Sequence, residues 1–473
     1  MFDRYLQYCK KQPFTLVLAF YTLMATLTII LFNGTGDAGD SVMHYLFARY
    51  APVHPRLFFD HWAKPVFVLL ASPFAQFGFT GMKVFNALVA LLTILLIYKI
   101  SLHLKLHNSL VSCLVLIFMP TYYVQTFASL TEHLFGLFMV TGIYLCLKHK
   151  YWAASVLISF LPFVRSEGLI ILLVFALYFL VKRKWKMLPA LLTGHVFYSL
   201  AGYAVYHDFL WVFNQNPYAF LSSPYGSGSL LHFVFEMYNA TGVPVFLLFC
   251  SGVVVMLVKS FKKQLLPEEF ILVFLGFASY FIAHSLFWYL GIFNSMGLKR
   301  VLVGVLPLAA IMALYGFNFL TEELFIKKKT LGKITKAVIL AYLVIFPFTQ
   351  NPAAVNWKEN MNLNDNQINA NKVGEYMRSG NIPVRRYFFE HPYLNMALEV
   401  DPFDAGRRSN LTLGSLEYLQ AGDVVVWDNW FAPFERQVTR EFVSGLPGME
   451  AIKEFYSLQP DRGLEFVIYK KIR

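Results

Sequence analysis

The sequence predicts a mainly α-helical, polytopic membrane protein that ends in a small α/β domain. Three observations carry that reading. The 473 residues are 57% hydrophobic and only 14% charged, with 48 Phe and a mean hydropathy of +0.52, far from the balance of a soluble chain. Apolar stretches of roughly 17 to 25 residues recur along most of the length, which predicts about eleven spans in place of one anchor and a soluble enzyme. The charge is divided unevenly as well: up to Gln350 there are 26 Lys/Arg against 12 Asp/Glu, and beyond it 14 against 16.

The net charge of +12 therefore reflects topology, and it does not point to nucleic acid. With a cytoplasmic N-terminus, 19 of those 26 cations fall on inner loops, in runs such as "KRKWK", "KSFKK" and "KKKTLGKITK". The first apolar run has no small-residue cleavage site after it and reads as an uncleaved signal anchor. The predicted spans are 14–32, 81–101, 109–127, 130–147, 152–164, 167–181, 187–206, 243–258, 270–290, 301–320 and 337–349. Their odd number places the C-terminus on the outer face, so residues 1–350 form the membrane domain and 351–473 an outer domain.

Within the long first outer loop, 33–80, "SVMHYLFARY" and "KPVFVLLASPFAQFG" read as short interfacial helices. The second outer loop, 207–241, contains "NPYAFLSSPYGSGSLLHF" and reads as irregular. In the tail, "DVVVWDNW" and "LEFVIYKK" have the β-branched and aromatic content of buried strands, "APFERQVTREFVSGL" has helical spacing, and Asn-rich "NWKENMNLNDNQINAN" reads as a linker. Cys9, Cys113, Cys146 and Cys250 have no paired spacing and read as packing residues.

Ions at membrane depth are costly, so their placement is informative. Most of them fall into four patches. The first, "GDAGDSVMHYLFARYAPVHPRLFFDHWAKP", gathers Asp37, Asp40, His44, Asp60, His61 and Lys64; a carboxylate beside cations suits a general base near a bound phosphate. The plainer account, Asp40 as a helix cap, does not explain the whole group. The second, "SLTEHLF", puts Glu132 and His133 at the opening of an apolar span, as dipole partners or as cavity lining. The third, "FVRSEGL", sets Arg165 and Glu167 at the apex of a hairpin too short to cross fully, so the pair is recessed and either satisfies itself or holds a phosphate. The fourth, "NSMGLKRVLVGVLPL", puts Lys299 and Arg300 where a span begins, snorkelling or binding lipid phosphate.

In this order the motifs resemble the GT-C superfamily of membrane glycosyltransferases, which includes the dolichyl-phosphate-mannose-type mannosyltransferases and the bacterial aminoarabinose transferases. The resembling features are the Asp-bearing first loop "GDAGDSVMHY", a "KPP"-like "KPVFVLL", a "TE"-type "SLTEHLF", an "R-x-EG"-type "RSEG" and the basic "KRVLVGVLP". "GD" stands where "DE" is usual and "KPV" where "KPP" is, which leaves the subfamily open. The resemblance implies an inverting transfer of one sugar, a mannose-like hexose favoured, from a polyprenyl-phosphate donor to a hydroxyl of a glycan, lipid or protein acceptor on the outer face. It implies Asp40, Asp37 and His44 as catalytic candidates, and Arg165, Lys299, Arg300 and Lys64 at the donor phosphate. Glu132, His133, Glu167, Asp60 and His61 line the cavity. A divalent cation is the one candidate cofactor.

Of the two aspartates, Asp40 is favoured as base because it opens a helix, whereas Asp37 lies among glycines. The rival class, a transporter or flippase of lipid-linked sugars, predicts charges at the midplane and broken helices in both halves, in place of acids gathered at one surface. No G-x-S-x-G or H-E-x-x-H is present. A bacterial inner membrane is the expected location, with the C-terminal domain periplasmic or extracellular.

Overall fold

A computed structural model describes residues 13–218, 223, 225–380, 382–459 and 463–473. The expected cytoplasmic start (1–12, with Cys9) and part of the second outer loop (219–222 and 224) lie outside the described residues.

All eleven apolar segments are helical in whole or in large part. Seven of the described helices are long and apolar enough to cross a membrane: Pro13–Leu31 (α1), Gly78–His103, Trp185–Tyr206, Val243–Phe261, Glu268–Leu290, Lys299–Glu323 and Lys329–Phe348. The expected span at 109–127 is instead two short helices, Leu110–Ile117 and Pro120–Gln125. Pro120 lacks a backbone N–H, and Met119 before it is extended, so the first helix cannot run on. Glu132–Leu147, Tyr151–Phe163 and Gly168–Val181 are shorter than a full span.

At the centre of the bundle, Leu306–Asn318 is buried on every side from Leu306 to Phe317. Its closest neighbour crossing is with Val243–Phe261, where glycines meet backbone. A Cβ on Gly252 would lie 1.9 Å from the Met312 carbonyl oxygen, and one on Gly316 2.0 Å from that of Leu248. Lipid tails are as apolar as leucine, so helices in a bilayer associate through such close packing and not through water expulsion.

The long loop 33–80 forms two helices, Asp40–Tyr50 (α2) and Pro65–Ala75 (α3). Val42 and Leu46 of α2 are buried, as their spacing predicts. In the tail, five strands, Tyr387–Phe388 (β1), Arg408–Ser409 (β2), Val424–Asp428 (β3), Met449–Tyr456 (β4) and Leu464–Lys471 (β5), form one sheet in the order β2-β1-β3-β5-β4. β1 runs parallel to both its neighbours, and β5 runs antiparallel to both of its own. The stretch with helical spacing is two short helices, Phe431–Arg436 and Arg440–Ser444, separated at Gln437, whose φ is +57°.

The Asn-rich segment is not a linker. It contains the helices Trp357–Met361 and Asp365–Ser379, and the second has a capping box in which Asn364 and Gln367 satisfy each other's backbone N–H groups. Asn-rich composition reads as loop, but here Asn364 starts the helix and Ala370, Val373 and Met377 bury one face of it. The tail is also tied to the first outer loop: Gly34 N–H donates to the Met361 carbonyl (2.8 Å), Gln367 Nε2 to Thr35 Oγ1 (2.6 Å), and His54 Nε2 lies 2.8 Å from Asp401 Oδ2. Phe403 packs edge-on against Phe47 at 4.8 Å.

Replacing Gly252 by Val forces two backbones apart. Thermal unfolding in detergent is expected to show a loss of at least about 1–3 kcal/mol, the usual cost of overpacking. Val at exposed Leu247 is expected to be nearly silent in the same assay.

Candidate functional site

The four patches, scattered over some 260 residues of sequence, line one cavity of about 420 Å³. Its wall includes Asp40 and His44 from α2, Lys64 before α3, Glu132, Arg165 with Glu167, and Arg300.

Asp40 is the first residue of α2. The helix is capped by Asp37, whose Oδ1 accepts from the N–H groups of Gly39 and Ser41, both at 2.9 Å. The glycines around Asp37 do not loosen it, contrary to the sequence expectation. Gly36 has φ +81° and leans on Ala128, where a Cβ would come within 2.4 Å of that residue's own Cβ, so glycine is what lets the loop pack tightly here. Arg300 joins the two carboxylates: Nη1 donates to Asp37 Oδ2 at 2.9 Å, and Nη2 donates to Asp40 Oδ2.

The two acids diverge in acidity. Burial pushes both upward. At Asp40 the opposing charges of Arg300, His44 and Arg165 prevail and hold the carboxyl below its ordinary range. At Asp37 burial prevails over Arg300, and the repulsion of Asp40 adds to it, so that carboxyl is raised. Asp40 lines the cavity, whereas Asp37 is spent on the helix cap and on Arg300.

Arg165 sits in a nest of acceptors: Glu132 Oε1 and Glu167 Oε1, each at 2.7 Å, and Thr131 Oγ1 at 3.1 Å. The hairpin apex is recessed as predicted, with Arg165 only 14% exposed. Lys64 is different. It has φ +70°, and its Nζ donates to the His61 carbonyl and to Ser166 Oγ, both at 2.9 Å, and lies 4.5 Å from the Tyr218 ring centroid. It makes no ion pair among the described residues, and burial lowers its ammonium to about 7. His44 stacks on Trp62, and burial lowers its imidazole to about 4, so it is neutral near pH 7.

Other sequence candidates stand apart from the cavity wall. Lys299 is exposed. His133 lies within hydrogen-bond distance of Thr126 and the Tyr122 carbonyl. Asp60 caps the Ala63 N–H at 2.8 Å, and His61 lies edge-on to Trp211, so both support the turn that presents Lys64. Among the described residues, no group of three or more His, Cys, Asp or Glu side chains is placed to hold a metal ion.

The lining also includes Thr131, Trp62, Tyr218, Tyr225 and His284, which sequence reasoning missed. His284 was detectable, because a lone ionisable residue in an apolar span is a signal in itself. Tyr218 was not, lying in an irregular loop. The tail stands beside the Asp40 edge: the Phe431 ring comes within 3.9 Å of where a Gly39 Cβ would be, and Glu435, raised chiefly by burial, also feels the charge of Asp40.

By sequence, no family model and no curated protein matches this chain. By structure, it resembles ArnT from Cupriavidus metallidurans bound to undecaprenyl phosphate, at a TM-score of 0.66 and 12% identity over 96% of this chain and 97% of that one. The apo form of the same protein gives 0.66 and 10%, over 97% and 98%. The Archaeoglobus fulgidus oligosaccharyltransferase, tethered through a disulfide to an acceptor peptide containing the NVT sequon, gives 0.57 and 11%, over 99% and 75%. The chain shares the fold of both proteins along nearly its whole length.

The cap assigns Asp37 a measurable structural role. Asp37→Ala is expected to cost about 1 kcal/mol in thermal unfolding. Asp37→Asn keeps an accepting oxygen for the cap but loses the charge facing Arg300, so it should recover only the cap's share of that loss; equal losses for the two would show that the cap contributes little.

Proposed function

We propose that this protein is an inverting membrane glycosyltransferase that moves a single sugar, with a mannose-like hexose favoured, from a polyprenyl phosphate to an acceptor hydroxyl. The observation that carries the reading is the sharing of one cavity by an ionised, Arg-held carboxylate, Asp40, and a buried cation without an ion pair, Lys64. The GT-C fold and the undecaprenyl phosphate bound by ArnT support it.

The chemistry balances with these groups. The acceptor hydroxyl gives its proton to the Asp40 carboxylate while its oxygen forms a bond to the anomeric carbon. The bond from that carbon to the phosphate oxygen breaks, and the polyprenyl phosphate leaves with the electron pair. Lys64 and Arg165 stabilise the departing phosphate. Arg165 is largely neutralised by Glu132 and Glu167, which leaves Lys64 as the strongest attraction for an anion. Arg300 positions Asp40 and keeps it ionised. The tail, standing beside Asp40, contacts the acceptor. In this reading the site faces the outer side of a bacterial inner membrane, with the C-terminal domain beyond it.

Two measurements test this. Asp40→Asn keeps the shape of the side chain and removes its basicity, so turnover of a labelled undecaprenyl-phosphate sugar should fall about 10²–10⁴-fold while donor binding stays unchanged. Near-normal turnover would exclude Asp40 as the base.

The second measurement concerns Lys64. Its folded value, lowered to about 7, lies below the ordinary lysine value, so the ammonium that attracts the phosphodiester is present below about 7 and lost above it. Donor affinity should therefore fall as pH rises through about 7, with the midpoint moved upward in the complex because bound anion favours the charged form. Lys64→Arg stays charged throughout and should flatten the profile. A flat wild-type profile would remove Lys64 from the phosphate site.

A further inference from the structure

Single displacement sets the anomeric carbon in line between the leaving phosphate and the attacking oxygen. If phosphate sits at Lys64 and Arg165 and the base is Asp40, the groups between those stations face the transferred sugar. This step rests on the functional reading above.

Three cavity-lining side chains meet the requirement for such a place. Glu132, His44 and His284 are 2%, 7% and 6% exposed. Each keeps a buried polar atom with no hydrogen-bond partner among the described residues: Glu132 Oε2, His44 Nδ1 and His284 Nε2. Buried polar groups are almost always paired, so these three atoms, together with the unpartnered Arg165 Nε on the same cavity wall, indicate a ligand that pairs them.

Their surroundings fix the groups. Glu132 spends Oε1 on Arg165 at 2.7 Å, and its charge also acts on His44 and Arg300. His44 is held against Trp62 at 4.8 Å and Phe67 at 5.4 Å. His284 lies against Tyr280 at 4.5 Å and Phe233 at 5.9 Å, and is 3.5 Å from Glu167 Oε1 without the geometry of a hydrogen bond.

The chemistry of the set narrows the ligand. An isoprenoid tail satisfies none of these atoms, and an ionised phosphodiester has no hydrogen to donate to Glu132 Oε2. A hydroxyl both donates and accepts: it can donate to Glu132 Oε2, and either donate to or accept from an imidazole nitrogen according to its tautomer. We propose that Glu132, His44 and His284 form the sugar subsite of the donor and recognise the hydroxyls of a neutral hexose.

The test uses the full-length protein in detergent and compares the binding of undecaprenyl phosphate with that of undecaprenyl-phosphate mannose, glucose and galactose. At least one hexose form is expected to bind wild type more tightly than the sugar-free lipid. His284→Phe keeps the ring packing, and Glu132→Gln keeps an oxygen for Arg165. His284→Phe should weaken the preferred hexose lipid by about tenfold, the loss of roughly one hydrogen bond, and leave undecaprenyl phosphate binding unchanged; Glu132→Gln also removes a charge facing Arg165 and so strengthens the phosphate contact of both lipids, and its expected effect is a roughly tenfold fall in the ratio of hexose-lipid to sugar-free-lipid affinity. The sugar-free arm also shows in the same sample that the variants fold.

An equal change in affinity for both lipids, or no change for either, overturns the subsite. A wild type that binds undecaprenyl phosphate but gains nothing from any hexose overturns the subsite and leaves the phosphate reading intact. A wild type that binds none of the four lipids overturns both.

Discussion

The clamp of Arg300 on Asp37 and Asp40 is the contact on which the rest of the site depends. Its partners are separated by 263 and 260 residues, and it joins the loop 33–80 to the beginning of the most deeply buried helix of the bundle. One guanidinium with two terminal nitrogens can hold two carboxylates at fixed positions, which a lysine ammonium cannot do with the same geometry. Through it the capped start of α2 is registered against the membrane domain, and Asp40 is turned toward the cavity with its charge retained.

Around that clamp the charges are nearly balanced. Arg300 answers Asp37 and Asp40, and Arg165 answers Glu132 and Glu167. Burying so many ions is tolerable only because each is paired, since an unpaired charge at this depth costs far more than its partner returns. Lys64 departs from this pattern, bound by a carbonyl and a hydroxyl and held in a left-handed backbone conformation by the turn that Asp60 caps. The cavity wall thus holds one buried lysine that no carboxylate pairs among the described residues.

Much of this was legible in the chain. Apolar runs located all eleven helical segments, because burial in lipid demands length and hydropathy whatever the neighbours are. Acids and cations stood out against that background for the same reason, and Asp40, Arg165, Glu132 and Lys64 were found in this way. Roles within a patch were less accessible. Asp37 and Asp40 lie three residues apart in similar surroundings, and only the direction of α2 shows that one caps the helix and the other faces the cavity. The Asn-rich stretch misled because composition describes a loop, whereas a capping box and three apolar contacts make a helix.

The sequence by itself determined the polytopic helical class, two of the five strands of the tail (β3 and β5) and the list of ions that had to be explained. These follow from local rules of hydropathy, periodicity and charge. Tertiary structure alone decided which ions meet. It brought patches near residues 40, 132, 165 and 300 to one cavity and paired the arginines with particular acids. It left Lys64 without an ion pair, sent His133 and Lys299 elsewhere, and added His284 and Tyr218 to the wall. The physical reason is that pairing depends on distance in space and on desolvation, and neither is a property of any one segment of the chain.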